Sequence, residues 1–318
     1  QRAVQERYHS FDELLNRRAA YTRTISLALE LTHGTVPVRY ELEFRQGGTL
    51  KENCRQGRTN AIREVIWTRA SVRHILRGPP IRDPDSLALA YVTKTGATGA
   101  KALLDFIRGA VFLRLSPTVL ARSEPLTRSP RAPTLDETGA GVVALLRALN
   151  STQRQRVAQK IASVVGWVED IVVLQDAARG YYATEERMKA RGGARKFPVP
   201  AWMLSEGTRR LTALYALLAR SPRPSLLVVE EIENGLDPWT LQSLFQDLRE
   251  AADEGVQVIV TTHSPFLLDH VSDINDILHA RREAGETSYA PITTYDEVVR
   301  YEGVVMPGAM YASDYFKP

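Results

Sequence analysis

Alternation of apolar and polar residues predicts the first element of the chain. Stretches 22–30 and 35–44 each place apolar side chains at every second position, as half-buried strands do. His33 and Gly34 stand between them as turn residues, so the two stretches predict an antiparallel hairpin. From 47 to 135 short apolar runs are broken by prolines, and the pattern defines few elements there.

A helical pattern begins at Thr138. Apolar residues share one helical face over 142–149 and another over 157–165. Ser151 lies between the two stretches and suits a helix N-cap, so we expect two helices joined at 150–151. A strand is predicted at 171–174, and we interpret the basic run 187–196 as an exposed loop.

The last third alternates helices with apolar runs. Helices are predicted from 207 to a point before Pro222 and from Pro238 to Gly255, with buried strands at 226–229 and 256–260. Because parallel strands need a crossover connection, this order predicts a parallel sheet. Ser264 followed by Pro265 predicts another short helix, and 276–278 and 288–292 are candidates for late strands.

Composition narrows the class of protein. The chain has 318 residues, of which 44% are hydrophobic, enough for a substantial core. Cys54 is the one cysteine of the sequence, and no run approaches the roughly 18 apolar residues of a membrane span. We therefore expect a cytoplasmic protein with no internal disulfide and no membrane partner.

The net charge and the histidine content add little to the assignment of function. The 41 Lys and Arg residues exceed the 37 Asp and Glu residues only slightly, which permits nucleic-acid contact without requiring it. The basic run 187–196 is a candidate patch for nucleic acid or for a protein partner, although a solvated loop is the simpler interpretation because few aromatics accompany it. The six histidines show no zinc-ligand spacing.

Four short motifs stand in a fixed order in the second half of the chain. A strand that ends in two acids brings both carboxylates to the carboxyl edge of a sheet, where open α/β folds bind ligands. Such carboxylates can hold Mg²⁺ or orient and deprotonate an attacking water. A serine before a helix places it beside free N–H groups that suit a phosphate. The motifs are Leu204-Ser205-Glu206-Gly207-Thr208, Glu230-Glu231, Asn234-Gly235-Leu236-Asp237 and Thr261-Thr262-His263-Ser264.

Each motif also has an ordinary structural explanation when it is taken alone. Two acids can solvate a strand end, Ser205 can serve only as an N-cap, and His263 can be a strand-end histidine. The spacing favours a shared function. Glu230 lies 25 residues after Ser205, and Asp237 lies 7 residues after Glu230. His263 lies 32 residues after Glu231.

In order and spacing, these motifs resemble the second half of an ABC-type ATPase head. The resemblance implies an α/β fold of the P-loop NTPase class, with a mostly parallel sheet, an antiparallel β lobe and a helical insert. It implies ATP and Mg²⁺ as cofactors, with Glu230 as metal ligand, Glu231 as catalytic base and His263 as a contact to the γ-phosphate. The family more often has Asp at the position of Glu230.

The resemblance further implies a nucleotide site shared between subunits. In ABC-type heads the serine and glycine of the first motif contact ATP held by a second subunit, which implies a head-to-tail dimer or a larger assembly. The matching nucleotide-binding residues in this sequence are Ser205, Glu206, Gly207, Asn234 and Asp237.

A closer resemblance is to the soluble ATPases of the RecF and OLD-nuclease type, among them the PtuA-like proteins of anti-phage defence. It rests on Ser205-Glu206-Gly207-Thr208-Arg209-Arg210 and on the motifs that follow, and it is strong after Thr134 and loose before it. It implies a sensor or regulatory ATPase that controls a separate nuclease or toxin effector. A RecF/SMC-like DNA-repair ATPase that binds DNA is the alternative, and the Ser-Glu-Gly-Thr-Arg-Arg form departs from transporter motors.

The phosphate loop of such a head is not found in the sequence. No Gly-x-x-x-x-Gly-Lys-Ser/Thr run is present, and 96–102 lacks both the Gly-Lys pair and the hydroxyl. We expect the loop ahead of residue 1, so that 1–318 is one head without its N-terminal Walker A segment. Within it we predict a β lobe and insert over 1–135 and the motif-bearing half over 136–318. A pseudo-ATPase that never had the loop is the alternative.

Overall fold

A computed structural model describes residues 24–33, 35–45, 49–57, 59–67, 72–74, 89, 98–126, 133–190, 193–283 and 286–316. The chain forms two compact units. The first draws on residues up to Arg108 and on Leu278–Ala290, and the second on Gly109–Ile277 and Pro291–Pro318. The boundary between the units along the chain therefore falls at 108–109.

A five-stranded antiparallel sheet lies in the first unit. Its strands pair in chain order, and β1 and β2 pair from Thr24 with Arg45 to His33 with Val36, which confirms the predicted hairpin. The later strands escaped prediction because a strand such as 49–56 carries polar residues at most positions. The strands are β1 (Thr24–His33), β2 (Val36–Arg45), β3 (Thr49–Gln56), β4 (Thr59–Trp67) and β5 (Val72–His74).

A buried carboxylate lies inside this sheet. Glu52 is fully buried and accepts hydrogen bonds from Tyr40 Oη at 2.8 Å and from Leu89 N at 2.7 Å. Burial, assisted by the charge of Glu52, raises the pKa of the nearby Cys54 thiol to about 11. Because only the thiolate is a strong nucleophile, Cys54 is an inert structural residue in the folded state.

The rest of the described chain alternates helices and strands, and these belong to the second unit except for the helix that begins at 98 and the two strands that begin at 278 and 286. These elements are α1 (Thr98–Gly109), β6 (Ala110–Leu113), α2 (Pro117–Leu120), β7 (Glu124–Pro125), α3 (Val142–Ala148), α4 (Ser151–Val165), β8 (Val168–Asp176), β9 (Arg179–Ala190) and β10 (Gly193–Pro200). They continue with α5 (Glu206–Ala219), β11 (Leu226–Val229), α6 (Pro238–Asp253), β12 (Gln257–Val260), α7 (Pro265–Leu268), β13 (Leu278–Glu283), β14 (Glu286–Pro291), α8 (Asp296–Arg300) and α9 (Pro307–Ala312). None of the described helices has the length and apolar character that a membrane span requires.

A parallel sheet of order β12-β11-β6 lies at the centre of the second unit. This confirms the predicted parallel pairing of β11 and β12. One face is buried in the main core, where Leu227 and Val229 pack with apolar residues of α5 and α6. On the other face Phe112 and Ile259 flank Val228 and are 58% and 47% exposed. The prediction that 226–229 is a buried strand therefore holds for one face only within the described part of the chain.

A second sheet is antiparallel, with β9 paired to β7, β8 and β10. The basic run 187–196 lies on β9 and β10, so its interpretation as a loop is wrong. The charged side chains had hidden the strand pattern, and two of them, Arg187 and Lys196, form ion pairs. Glu169 forms ion pairs with Arg187 and with Lys196, and Lys196 also lies 3.2 Å from Glu185.

The two helices predicted after Thr138 are confirmed as α3 and α4. The cap of α4 is Asn150, not Ser151, which is its first helical residue. Asn150 Oδ1 accepts from Gln153 N, and Gln153 Oε1 accepts from Asn150 N, both at 2.9 Å. This reciprocal pair is a capping box, and it satisfies two backbone donors that a serine one position later would leave exposed.

Candidate functional site

The carboxyl edge of the parallel sheet carries the acids and the histidine of the predicted site. Glu230 and Glu231 directly follow β11, and His263 lies shortly after β12. Backbone hydrogen bonds join the two segments beyond the strands, from Thr261 N to Val229 O at 3.0 Å and from Ile232 N to Thr261 O at 3.2 Å. Because the strands are parallel, both ends face the same edge, as in other open α/β ligand sites.

Glu231 has an unusual backbone. Its φ is +48°, a left-handed conformation that costs a non-glycine residue about 1–3 kcal/mol and that clusters at functional sites. Glu231 N donates to Thr261 Oγ1 at 2.9 Å, and Asn234 Nδ2 donates to Glu231 Oε2 at 2.5 Å. The carboxylate is therefore held in one orientation by the loop that follows β11.

Glu230 lies beside a positive charge that the sequence did not reveal. Its backbone N donates to Leu113 O at 2.8 Å, and its Oε2 lies 3.7 Å from Arg114 Nε. Arg114 follows β6, a strand that lies in the proline-broken stretch 47–135, where the sequence pattern defined few elements. The Glu230 side chain remains 44% exposed and accessible to a cation.

His263 is held at both its backbone and its ring. Its backbone N donates to Glu233 Oε1 at 2.7 Å. Its Nδ1 lies 3.5 Å from Oη of Tyr311, a residue of α9 that is 48 positions away in the chain. The following Ser264 caps α7 by accepting from Leu267 N at 3.3 Å, as the Ser-Pro pair predicted. Glu233 and Tyr311 were both missed, because no local pattern links them to the histidine.

Ser205 and Gly207 lie at the N-terminus of α5. Ser205 Oγ is the N-cap and accepts from Thr208 N at 3.1 Å. Gly207 is buried, and a Cβ added to it would overlap the carbonyl oxygen of Gly235 and lie 3.2 Å from Leu236 Cδ2. A glycine is therefore required where the start of α5 meets the loop 234–237.

Arg210 connects α5 with the acids. Burial lowers its pKa, while the charges of Glu206 and Glu231 oppose that change. Its Nε is buried and has no hydrogen-bond partner among the described residues. The guanidinium of Arg210 therefore lies in the field of both the exposed Glu206 and the carboxylate of Glu231.

Asp237 has a capping role in this structure. It begins α6, and its carboxylate accepts from Trp239 N and Thr240 N, both at 3.1 Å, and from Thr240 Oγ1 at 2.6 Å. These hydrogen bonds, those of Thr240 first, hold the pKa of Asp237 below its usual value. The adjacent Trp239 is 78% exposed.

The structure thus divides the predicted residues into two groups. Glu230, Glu231, Asn234 and His263 lie at one sheet edge, and hydrogen bonds link the segments that carry them. Ser205, Glu206 and Gly207 begin α5, which touches this edge through the loop 234–237. Asp237 closes that loop but forms its recorded hydrogen bonds within α6.

Comparison with known proteins places this chain among nucleotide-binding folds. Residues 193–269 match a family described as "AAA domain, putative AbiEii toxin, Type IV TA system". The chain is 35% identical over 80 residues to the methionine import ATP-binding protein MetN 1 of Rhodococcus jostii, covering 25% of this chain and 23% of the relative. It is 30% identical over 117 residues to the energy-coupling factor transporter ATP-binding protein EcfA of Methanosphaera stadtmanae, covering 33% and 41%.

A solved structure shows the fold. The SmcHead bound to the C-winged helix domain of ScpA matches 85% of this chain and 74% of its own, with a TM-score of 0.50 and 14% identity. The fold class predicted from the motifs is confirmed: this is an α/β chain with the P-loop NTPase fold of ABC-type heads. The chain spans between a fifth and two fifths of the length of the curated relatives it matches.

Proposed function

We propose that this chain is the head of an ABC-type ATPase that binds ATP and hydrolyses it with Glu231 as general base. The observation that carries the proposal is the geometry of Glu231. Its left-handed backbone and its hydrogen bond from Asn234 fix a carboxylate at the sheet edge that also carries His263. A general base must be held where it can take a proton from the attacking water, and this arrangement meets that requirement.

Mg²⁺ is the cation that this donor set fits. Among the described residues no group of three or more His, Cys, Asp or Glu could enclose a metal ion. Mg²⁺ in nucleotide sites needs no such cage, since it binds through one or two carboxylates together with phosphate oxygens. Glu230 is the proposed ligand, and its partial exposure leaves its oxygens accessible. When bound, the ion would neutralise charge on the phosphates.

The remaining roles concern this chain's own residues. His263 is proposed to donate a hydrogen bond to the γ-phosphate, with its backbone fixed by Glu233. Ser205, Glu206 and Gly207 are proposed to present the N-terminus of α5 to a phosphate held by a second subunit, and Asn234 and Asp237 to line the same interface. The positive end of a helix and its free N–H groups favour such an anion.

The test of the base uses the encoded protein with whatever residues its gene places ahead of Gln1. Glu231→Gln keeps the size of the side chain and should lower the ATP hydrolysis rate by about 10²–10⁴. Glu250→Gln, an exposed glutamate of α6, is the matched control and should leave the rate unchanged. Wild-type hydrolysis by Glu231→Gln would refute the assignment.

The phosphate loop is proposed to come from a segment ahead of residue 1. Parallel sheets normally have both faces covered, yet the face that carries Phe112 and Ile259 is open in the described part of the chain. A strand and helix added beside β12 would cover it. ATP affinity should therefore be measured with and without the upstream residues, and equal affinity would contradict this proposal.

Self-association is proposed to occur through the face that carries the start of α5 and the start of α6. Trp202 and Met203 precede Ser205 and are 52% and 70% exposed, and Trp239 follows Asp237. Exposed tryptophans near a predicted site are typical anchors of interfaces. Mass measurement of Glu231→Gln with ATP and Mg²⁺ should show a dimer or larger assembly, whereas a strict monomer at micromolar concentration would contradict the proposal.

The finer role is proposed to be the control of a separate nuclease or toxin effector in anti-phage defence. The proposal rests on the resemblance of the motifs to defence ATPases, since the description of the matched family names a putative toxin for residues 193–269 and names no separate effector. Cells expressing the chain with and without the product of the neighbouring gene should be challenged with phage, with Glu231→Gln as control. Protection by the ATPase alone, undiminished when every neighbouring gene is deleted, would contradict a separate effector.

DNA binding is the alternative role, and the charges of the second unit do not favour it. Within the described part of the basic run 187–196, Arg187 and Lys196 are paired with Glu169, while Arg195 is exposed. Salt-sensitive DNA binding by the isolated protein would favour a RecF/SMC-like role instead.

A further inference from the structure

The C-terminal helix α9 is locked onto the short helix that follows His263. Gly308 is buried in this contact, and a Cβ added to it would overlap the carbonyl oxygen of Pro265 at the start of α7. Gly308 N donates to Asp269 Oδ1 at 2.6 Å. The backbones of the two helices therefore approach as closely as a glycine allows, and α9 has a fixed position relative to the loop that carries His263.

A small hydrophobic core that includes residues of both α7 and α9 supports the same arrangement. It is separate from the main core, and α7 faces both, since Leu267 packs in the main core and Leu268 in the small one. Tyr311 packs against this small core, with its ring 5.9 Å from that of Phe316. The buried residues of the small core are Leu268, Ile277, Ile292, Tyr295, Val298, Met310 and Phe316.

The hydroxyl of Tyr311 is therefore presented to the ring of His263 by a rigid support. We infer that Tyr311 is a positioning residue whose hydroxyl donates a hydrogen bond to Nδ1 of His263 and so fixes the ring orientation and the tautomer. A neutral imidazole that accepts at Nδ1 carries its proton at Nε2. The ring then offers an N–H donor on the side away from α9, which is what a phosphate oxygen requires.

This inference rests on the proposed role of His263 as the phosphate contact, but its first test does not. The 318-residue chain is labelled with ¹⁵N in the rings of its six histidines, and His263→Gln identifies the signals of His263. Long-range proton–nitrogen spectra distinguish a protonated ring nitrogen from an unprotonated one. We expect Nε2 protonated and Nδ1 unprotonated in the wild type, and values moving towards a mixture of tautomers in Tyr311→Phe.

The variant and its control are closely matched. Tyr311→Phe removes one oxygen and keeps the ring beside Phe316, so the fold should persist. Tyr315→Phe removes the same atom from another tyrosine that packs on the small core, and it should leave the signals of His263 unchanged. Protonated Nδ1 in the wild type, unchanged signals in Tyr311→Phe, or an equal change in Tyr315→Phe would each overturn the inference.

The second test measures ATP. In the encoded protein, Tyr311→Phe should weaken ATP binding or hydrolysis by about two- to tenfold, the worth of one hydrogen bond. In a double variant with His263→Gln the loss should not add to that of His263→Gln alone. Full additivity would overturn the inference. If the wild-type protein neither binds nor hydrolyses ATP, the proposed function fails, while the histidine spectra still decide the role of Tyr311.

Discussion

Gly207→Ala tests whether the start of α5 is packed as tightly against the loop 234–237 as the structure indicates. The added methyl group would overlap the carbonyl oxygen of Gly235 and lie 3.2 Å from Leu236 Cδ2 and 3.5 Å from the carbonyl carbon of Gly235. Two of these neighbours are backbone atoms, which cannot move aside as a flexible side chain can. Insertion of a methyl group into such a contact costs about 1–3 kcal/mol.

The higher helix propensity of alanine opposes this cost and must be subtracted from it. Replacing glycine by alanine inside a helix favours folding by up to about 1 kcal/mol, and less in the first turn. The net expectation is a loss of about 1–2 kcal/mol in the free energy of unfolding. For a unit of this size that loss lowers the melting temperature by about 2–8 °C.

The assay is thermal unfolding without nucleotide, followed by circular dichroism. Glu206→Ala changes the neighbouring, exposed residue of the same turn and is the control. It should cost less than about 1 kcal/mol, through the loss of a negative charge at the helix N-terminus. A melting temperature of Gly207→Ala equal to or above that of the wild type would refute the reasoning, as would an equal loss in Glu206→Ala.

Two further predictions concern single side chains. Cys54 is the one cysteine of the sequence, and burial raises its pKa to about 11, so a thiol reagent at pH 8 should not label the native protein and should label the unfolded one fully. Rapid labelling of the native protein would show that the first unit opens at this strand. Asp237→Ala removes the N-cap of α6 and should lower the free energy of unfolding by about 1 kcal/mol at pH 7. Since folding lowers the pKa of Asp237 from 3.8, this difference should persist above that pH and shrink as the pH falls through the folded-state pKa, and a difference that grows on acidification would contradict the assignment.

The elements that could be predicted are those in which local pattern and tertiary contact agree. β11 and β12 are short apolar runs between helices with clear caps, and both Asp237 before Pro238 and Ser264 before Pro265 mark helix starts that the structure confirms. The strand 49–56 lacked this agreement, since its buried residues include Glu52, whose partners come from other strands and from Leu89.

The site was predictable only where its residues lie in sequence motifs. The motifs name Glu231 and His263, but not the groups that hold them. Arg114 lies beside Glu230 only because β6 pairs with β11, and Tyr311 reaches His263 only because α9 packs on α7. Such neighbours are set by strand order and helix docking, and neither has a periodic signal in a single sequence.

Residues 233–236 connect these separate motifs through hydrogen bonds and packing contacts. Glu233 holds the backbone of His263, Asn234 holds the carboxylate of Glu231, and the carbonyl of Gly235 abuts Gly207. Gly207 already contacts the backbone of Gly235, so no free space remains between α5 and the loop. If α5 shifts towards the loop, the loop must move with it. A displacement of the start of α5 is therefore transmitted to Glu231 and His263 through adjacent residues of a single loop. The hydrogen bond from Asn234 therefore makes the orientation of the Glu231 carboxylate depend on the position of α5.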